Sequence, residues 1–133
     1  MKGWLKNMLT FDDFWADVCL YKLELGFKYH EYENGIKYAN GCGAKGGIKF
    51  PDTMYYISVI SACIIHDIDW YKATCYQDLL DANERFDNNL KKICDRDSMN
   101  DLTKWFRRMR IAKYVSGVEL YGTESYAKDR GFL

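Results

Sequence analysis

The sequence predicts a mainly α protein built on two antiparallel helices, and three observations carry that expectation. Its 133 residues are 48% apolar and 17% aromatic, enough for one hydrophobic core without staples. Apolar residues recur every three or four positions in four separate stretches. The two central stretches are separated by only a few residues, which forces them to run antiparallel. No linker composition divides the chain, so one domain is expected over residues 1–133.

The first helix is expected over about 10–25. Thr10 or Asp12 caps it, Phe11, Phe14, Trp15, Val18, Cys19 and Leu23 form its stripe, and Gly26 ends it. In "FKYHEYENGIKY" the Asn34-Gly35 pair reads as a turn between short strands, so a small β-hairpin is expected there. A second helix is expected over about 53–73, opened by Pro51-Asp52, and a third over about 77–95 with Leu79, Ala82, Phe86, Leu90 and Ile93 facing the core. The last, about 100–121, places Leu102, Trp105, Phe106, Met109, Ala112, Val115 and Leu120 on one buried stripe.

Composition excludes several classes. Lysine plus arginine balance aspartate plus glutamate at 19 each, so no overall field draws the chain to nucleic acid or an anionic membrane. The mixed basic and aromatic run "KWFRRMRIAK" resembles a nucleic-acid-binding helix in composition only. Its aromatics fit a core stripe, so nucleic acid is set aside as a partner, and lipid headgroups or an acidic protein are the alternatives for its arginines. No stretch is long and apolar enough for a transmembrane segment, and the first residues lack a signal-peptide pattern. Five cysteines at irregular spacing and two histidines argue against zinc and for reduced thiols, hence a cytoplasmic setting.

Chemistry concentrates in "SACIIHDIDWYKA", residues 61–73. Helical spacing puts His66 among Ala62, Cys63, Asp69 and Trp70, on the core side, with Asp67 one step round. On the third helix Asn83 lies among Leu79, Ala82 and Phe86, with Asp87 one turn on. Two antiparallel helices thus aim polar groups into their shared interface, at about 1–3 kcal/mol each unless they find partners. A His66–Asn83 hydrogen bond that sets the helix register and a catalytic His66 both satisfy that requirement. Asp69 is expected to be solvated or to cap a turn, and His30 to be exposed.

The preceding stretch, "NGCGAKGGIKFPD", has glycines at 41, 43, 46 and 47. Such a loop can turn several backbone carbonyls toward one point. With a carboxylate such as Asp67, that ligand set suits calcium. A phosphate cradle fits less well, because neither phosphate-loop spacing is present.

Taken together, "GCGAKGG", "ACIIHD" and "LDANERF" resemble the phospholipase A2 superfamily, most closely small phage and bacterial proteins with an NGCG…PD…AC..HD…AD..F order. "W..R", from Trp105 to Arg108, then Tyr114 and "ELYG", extends the resemblance to about residues 38–122. It implies calcium-dependent hydrolysis of a glycerophospholipid ester. His66 would be the general base, and Asp67 with carbonyls near Gly41 and Gly43 the calcium ligands. The partner would be a phospholipid surface.

Two positions depart from that pattern. Asn83 stands where the resemblance has an acidic partner for the histidine, with Asp87 or Asp81 as nearby substitutes. Trp70 stands where a tyrosine would support that acid. Indole can only donate, and it could donate to the Asn83 amide oxygen. These departures carry a second expectation: a phospholipase A2-like scaffold, catalytically degenerate, that binds a protein partner, such as a phage-encoded inhibitor or virion component. Its eleven tyrosines suit either an interface or the walls of a core and groove.

Overall fold

The computed structural model describes residues 10–39, 53, 54, 57–97, 100–117 and 122–133. They form a mainly helical structure. Helix α1 spans Phe11–Tyr21, α2 Tyr29–Gly35, α3 Ile60–Lys72, α4 Tyr76–Asp97, α5 Asp101–Gly117 and α6 Glu124–Asp129. A 3-10 turn, Ile36–Tyr38, continues α2. A two-stranded antiparallel pair, β1 (Thr53–Met54) and β2 (Ile57–Ser58), precedes α3, with Thr53 opposite Ser58 and Met54 opposite Ile57.

Helix α1 begins as its sequence dictates. Thr10 Oγ1 accepts from the Asp13 N–H at 3.1 Å, and the Asp13 carboxylate accepts from the Thr10 N–H at 3.4 Å, a reciprocal capping box. It ends earlier than Gly26, because Lys22 turns left-handed at φ 55° and its N–H returns to Val18. Gly26 serves packing instead. A Cβ there would lie 2.7 Å from Arg85 Nη1 and 3.0 Å from Asp69 Oδ1.

The Asn34-Gly35 hairpin is not formed; those residues end α2. Tyr32, fully buried, and Gly35, three residues on, both face α3, and a Cβ on Gly35 would lie 3.2 Å from Ile68 Cγ2. Close approach of two helices therefore overrides a local turn preference. The second helix is also shorter than expected, since strand pairing occupies part of 53–58 and α3 starts at Ile60.

Helix α3 is central, and ten of its 13 residues are buried. It is hydrophobic nearly all round, as a core helix must be. Three residues, 73–75, connect it to α4, and the pairs His66–Phe86 and Trp70–Asn83 show that the two run antiparallel. The α4 stripe is where periodicity put it. Leu79, Ala82, Phe86, Leu90 and Ile93 are all buried, each large member stabilising the fold by roughly 2–3 kcal/mol. Phe14, Tyr32, Ile65, Leu90 and Ile111 share one core cluster; Trp70, Leu79, Ala82 and Ala127 form a second beneath α6.

Helix α5 reverses the expectation made for it. Leu102, Trp105, Phe106 and Met109 are exposed, while Arg107 and Ile111 are buried. Ala112 is exposed as well, Val115 packs partly buried against the core, and Leu120 lies outside the described residues; the core lies on the side of the helix opposite the Leu102–Met109 stripe. Helix α6 had no counterpart in the expected elements. Arg130, just after it, donates to the carbonyls of Trp70 at 3.2 Å and Ala73 at 2.8 Å, satisfying the C-terminal end of α3.

Cys63 is disulfide-bonded, which corrects the expectation of reduced thiols throughout. The other described cysteines, Cys19, Cys75 and Cys94, are not in disulfides, and the Cys94 thiol donates to the Lys104 carbonyl. Among the described residues no helix is long and apolar enough to cross a membrane.

Candidate functional site

His66 and Trp70 stand one turn apart on α3, so both rings project toward α4. Asn83 meets them there. His66 Nε2 lies 2.8 Å from Asn83 Oδ1, and Trp70 Nε1 donates to the same oxygen at 3.2 Å. Asn83 Nδ2 donates to Thr123 Oγ1 at 2.8 Å. His66, Asn83 and Thr123 are buried. The imidazole also lies 4.6 Å from the rings of both Phe86 and Trp70, centroid to centroid.

These contacts fix the proton on the histidine. Indole N–H can only donate, so the Asn83 atom facing Trp70 is the oxygen. That same oxygen faces His66 Nε2, so Nε2 must carry hydrogen. Neutral imidazole then has its lone pair on Nδ1. Burial pushes the His66 pKa down to about 4; the Asn83 bond pulls it upward and the Arg85 charge lowers it further. At neutral pH His66 is therefore uncharged, with one defined tautomer.

A second buried network branches from the same helix. Asp69 is 2% exposed, not solvated as the sequence suggested. Its Oδ1 accepts from the Tyr32 hydroxyl at 2.6 Å and its Oδ2 from Arg85 Nη1 at 2.7 Å. The Tyr32 oxygen in turn accepts the Gly26 N–H at 2.6 Å and the Phe27 N–H at 3.2 Å. Burial raises the Asp69 carboxyl, while the Tyr32 hydroxyl and the Arg85 guanidinium pull it back. Burial and the neighbouring Asp69 charge also raise Tyr32 far above an ordinary phenol. This network joins α2, α3 and α4 around the Gly26 backbone.

Other predicted positions fall differently. Asp67 is half-buried on α3, next in sequence to His66. Asp87 accepts from Lys91 Nζ at 2.9 Å, so its charge is matched along its own helix and the contact to His66 belongs to Asn83. Asp81 accepts from Gln77 at 2.9 Å. His30 is exposed beside Glu31, as expected. Gly41 and Gly43 lie outside the described residues. Asp67 offers a hard oxygen of the kind calcium takes. Among the described residues no group of three or more His, Cys, Asp or Glu completes a metal site.

Sequence reasoning missed Thr123 and Tyr32. Thr123 is 40 residues from Asn83 and Tyr32 is 37 from Asp69, and neither sits in a recognisable motif. Comparison with family models, curated proteins and solved structures returns no match.

Proposed function

We propose that the chain is a phospholipase A2-like hydrolase of a glycerophospholipid ester, with His66 as general base. One observation supports this above the rest: Trp70 orients the Asn83 amide, Asn83 holds the proton on His66 Nε2, and Nδ1 keeps the lone pair. A base needs that defined tautomer. In the proposed step His66 Nδ1 takes a proton from water, whose oxygen attacks the ester carbonyl; the tetrahedral adduct then breaks its acyl C–O bond, and the leaving alkoxide takes the proton back from Nδ1. The Nε2–H bond to Asn83 Oδ1 persists as the ring becomes cationic. Calcium would be held by Asp67 with Gly41 and Gly43, and when bound it supplies positive charge toward the carbonyl oxygen.

Asn83 sets the limit of this chemistry. An amide orients imidazolium but places no negative charge against it, and Arg85 opposes it. The base is therefore weak, and slow turnover is expected. The same feature favours a second reading, a degenerate scaffold that binds a protein partner and uses the triangle for helix register.

Fatty-acid release from mixed phospholipid vesicles at millimolar-range calcium separates the two. Wild type, His66→Ala and Asn83→Asp are compared, with a chelator control. The hydrolase reading expects calcium-dependent release that His66→Ala abolishes and Asn83→Asp raises by about a hundredfold. No release from either wild type or Asn83→Asp, with both folded, sinks it and leaves the scaffold.

A further inference from the structure

Helix α5 carries its hydrophobic stripe on the outside. Leu102, Trp105, Phe106 and Met109 recur at intervals of three, four and seven residues from Leu102, and are 66%, 55%, 44% and 47% exposed. At 100° per residue they share a single face. The Trp105 and Phe106 rings meet edge to face at 4.9 Å, forming one aromatic ridge. On the opposite side Ile111 is fully buried and Arg107 nearly so. The helix is thus anchored to the core through its inner face, packing mainly on α4. Four neighbouring large apolar side chains on one exposed helix face mark an interaction surface.

Charge specifies the occupant. From Leu102 to Gly117 there is no aspartate or glutamate, whereas Lys104, Arg107, Arg108, Arg110 and Lys113 all fall in that span. Arg107 is turned inward, and Arg108 donates to Asp95 on α4 through Nε at 3.0 Å. Lys113, four residues beyond Met109, continues the apolar stripe as an exposed cation. A partner must therefore offer apolar depth and negative charge together.

Shape narrows this further. The face is the convex surface of one helix of 17 residues, about 25 Å long, and it presents a ridge. A bilayer accepts a ridge by parting its headgroups. Apolar side chains on such helices enter about 5–10 Å, with the basic groups at phosphate level.

We infer that α5 is an interfacial membrane-binding helix, which seats the protein on anionic phospholipid surfaces through Leu102, Trp105, Phe106 and Met109, with Lys113 meeting the headgroups. The inference stands on α5 and does not require His66 to be catalytic.

Flotation of the full chain with vesicles tests it, using phosphatidylcholine alone and phosphatidylcholine with about one-third phosphatidylserine as the anionic lipid. Wild type is expected to float with the anionic vesicles and to be released by raised salt. Trp105→Ser combined with Met109→Ser, folded by circular dichroism, is expected to lower the apparent affinity at least about tenfold. Lys113→Glu, at an exposed position, is expected to lower it about threefold to fivefold at low salt. His66→Ala should float as wild type does. Wild type and Asn83→Asp that both float yet release no fatty acid remove the hydrolase reading and leave this one standing. Failure to float with anionic vesicles overturns the inference, as does equal flotation of wild type and both α5 variants. A dimer seen by light scattering, dissolved by the double substitution and indifferent to vesicles, also overturns it and makes a second copy the occupant.

Discussion

Asp69 and His66 stand three residues apart on α3, each meets a side chain from α4, and only one of the two contacts carries a counter-charge. Asp69 faces the Arg85 guanidinium and the Tyr32 hydroxyl. His66 faces the amide of Asn83, itself held by Trp70 and Thr123. Both networks pair the polar groups that meet in them at the α3–α4 interface. They differ in what they do to protonation. The charged network holds an ion pair inside the fold, whereas in the neutral one burial keeps the imidazole uncharged and the Asn83 amide brings no counter-ion to offset it. Hydrogen-bond satisfaction and charge compensation are thus separate requirements, and the candidate site meets the first without the second.

The comparison breaks most visibly at Asp69. Asp69→Ala leaves the Arg85 charge and the Tyr32 hydroxyl in the interior without their shared acceptor. Because Arg85 is partly solvated, the expected loss is about 3–4 kcal/mol of unfolding free energy, read by urea denaturation. A loss under about 1 kcal/mol would mean that the ion pair is a bystander.

The His66 network predicts a pH dependence of nearly that size. Its folded pKa, about 4, lies below the ordinary value of 6.5. The unfolded chain therefore binds more protons between those values. Stability is fully present above about pH 6.5 and falls as pH drops toward 4, by up to roughly 3 kcal/mol. His66→Gln removes this component, so the difference between the two proteins' stability curves isolates it from Asp69 and the other carboxylates. Parallel curves across that window would refute the depressed pKa.

Supplying the missing charge sharpens the contrast. In Asn83→Asp the imidazolium gains a partner at hydrogen-bond distance, and its pKa is expected to rise by about 1–3 units, followed by NMR titration of the ring protons. An unchanged pKa would show that burial and Arg85 outweigh a contact carboxylate. The smallest expected effect is at Thr123. Thr123→Val removes the acceptor for Asn83 Nδ2 inside the core and should cost about 1–2 kcal/mol, measured by thermal or urea unfolding. If stability is unchanged, water or another acceptor takes the hydroxyl's place.

The α3–α4 hairpin could be read from the chain because its information is local. A stripe at helical spacing, a short connection and two polar residues on facing sides suffice to bring His66, Trp70 and Asn83 together. The same reasoning failed at Asp69, whose partner Tyr32 comes from a segment that local preference assigns to a hairpin. It failed for the start of α3 as well, since Pro51-Asp52 marks a helix opening by preference while the pairing of 53–54 with 57–58 delays it to Ile60. Gly26 and Gly35 looked like punctuation, yet both are sites of close packing.

What the sequence determined alone is the set of helical stripes, the antiparallel pairing of α3 with α4 and the residue types at their interface. Periodicity and chain connectivity are properties of neighbours along the chain, and they need no tertiary partner to exist. What the tertiary structure decided is which side of each stripe meets the core. For α4 it is the apolar side. For α5 it is the side bearing Arg107 and Ile111, and the stripe faces outward. Periodicity states that a helix has two unlike faces; only the position of the neighbouring helix states which one is buried. The charge state of His66 was decided in the same way, because desolvation depends on what surrounds a group in space and not on its place in the chain.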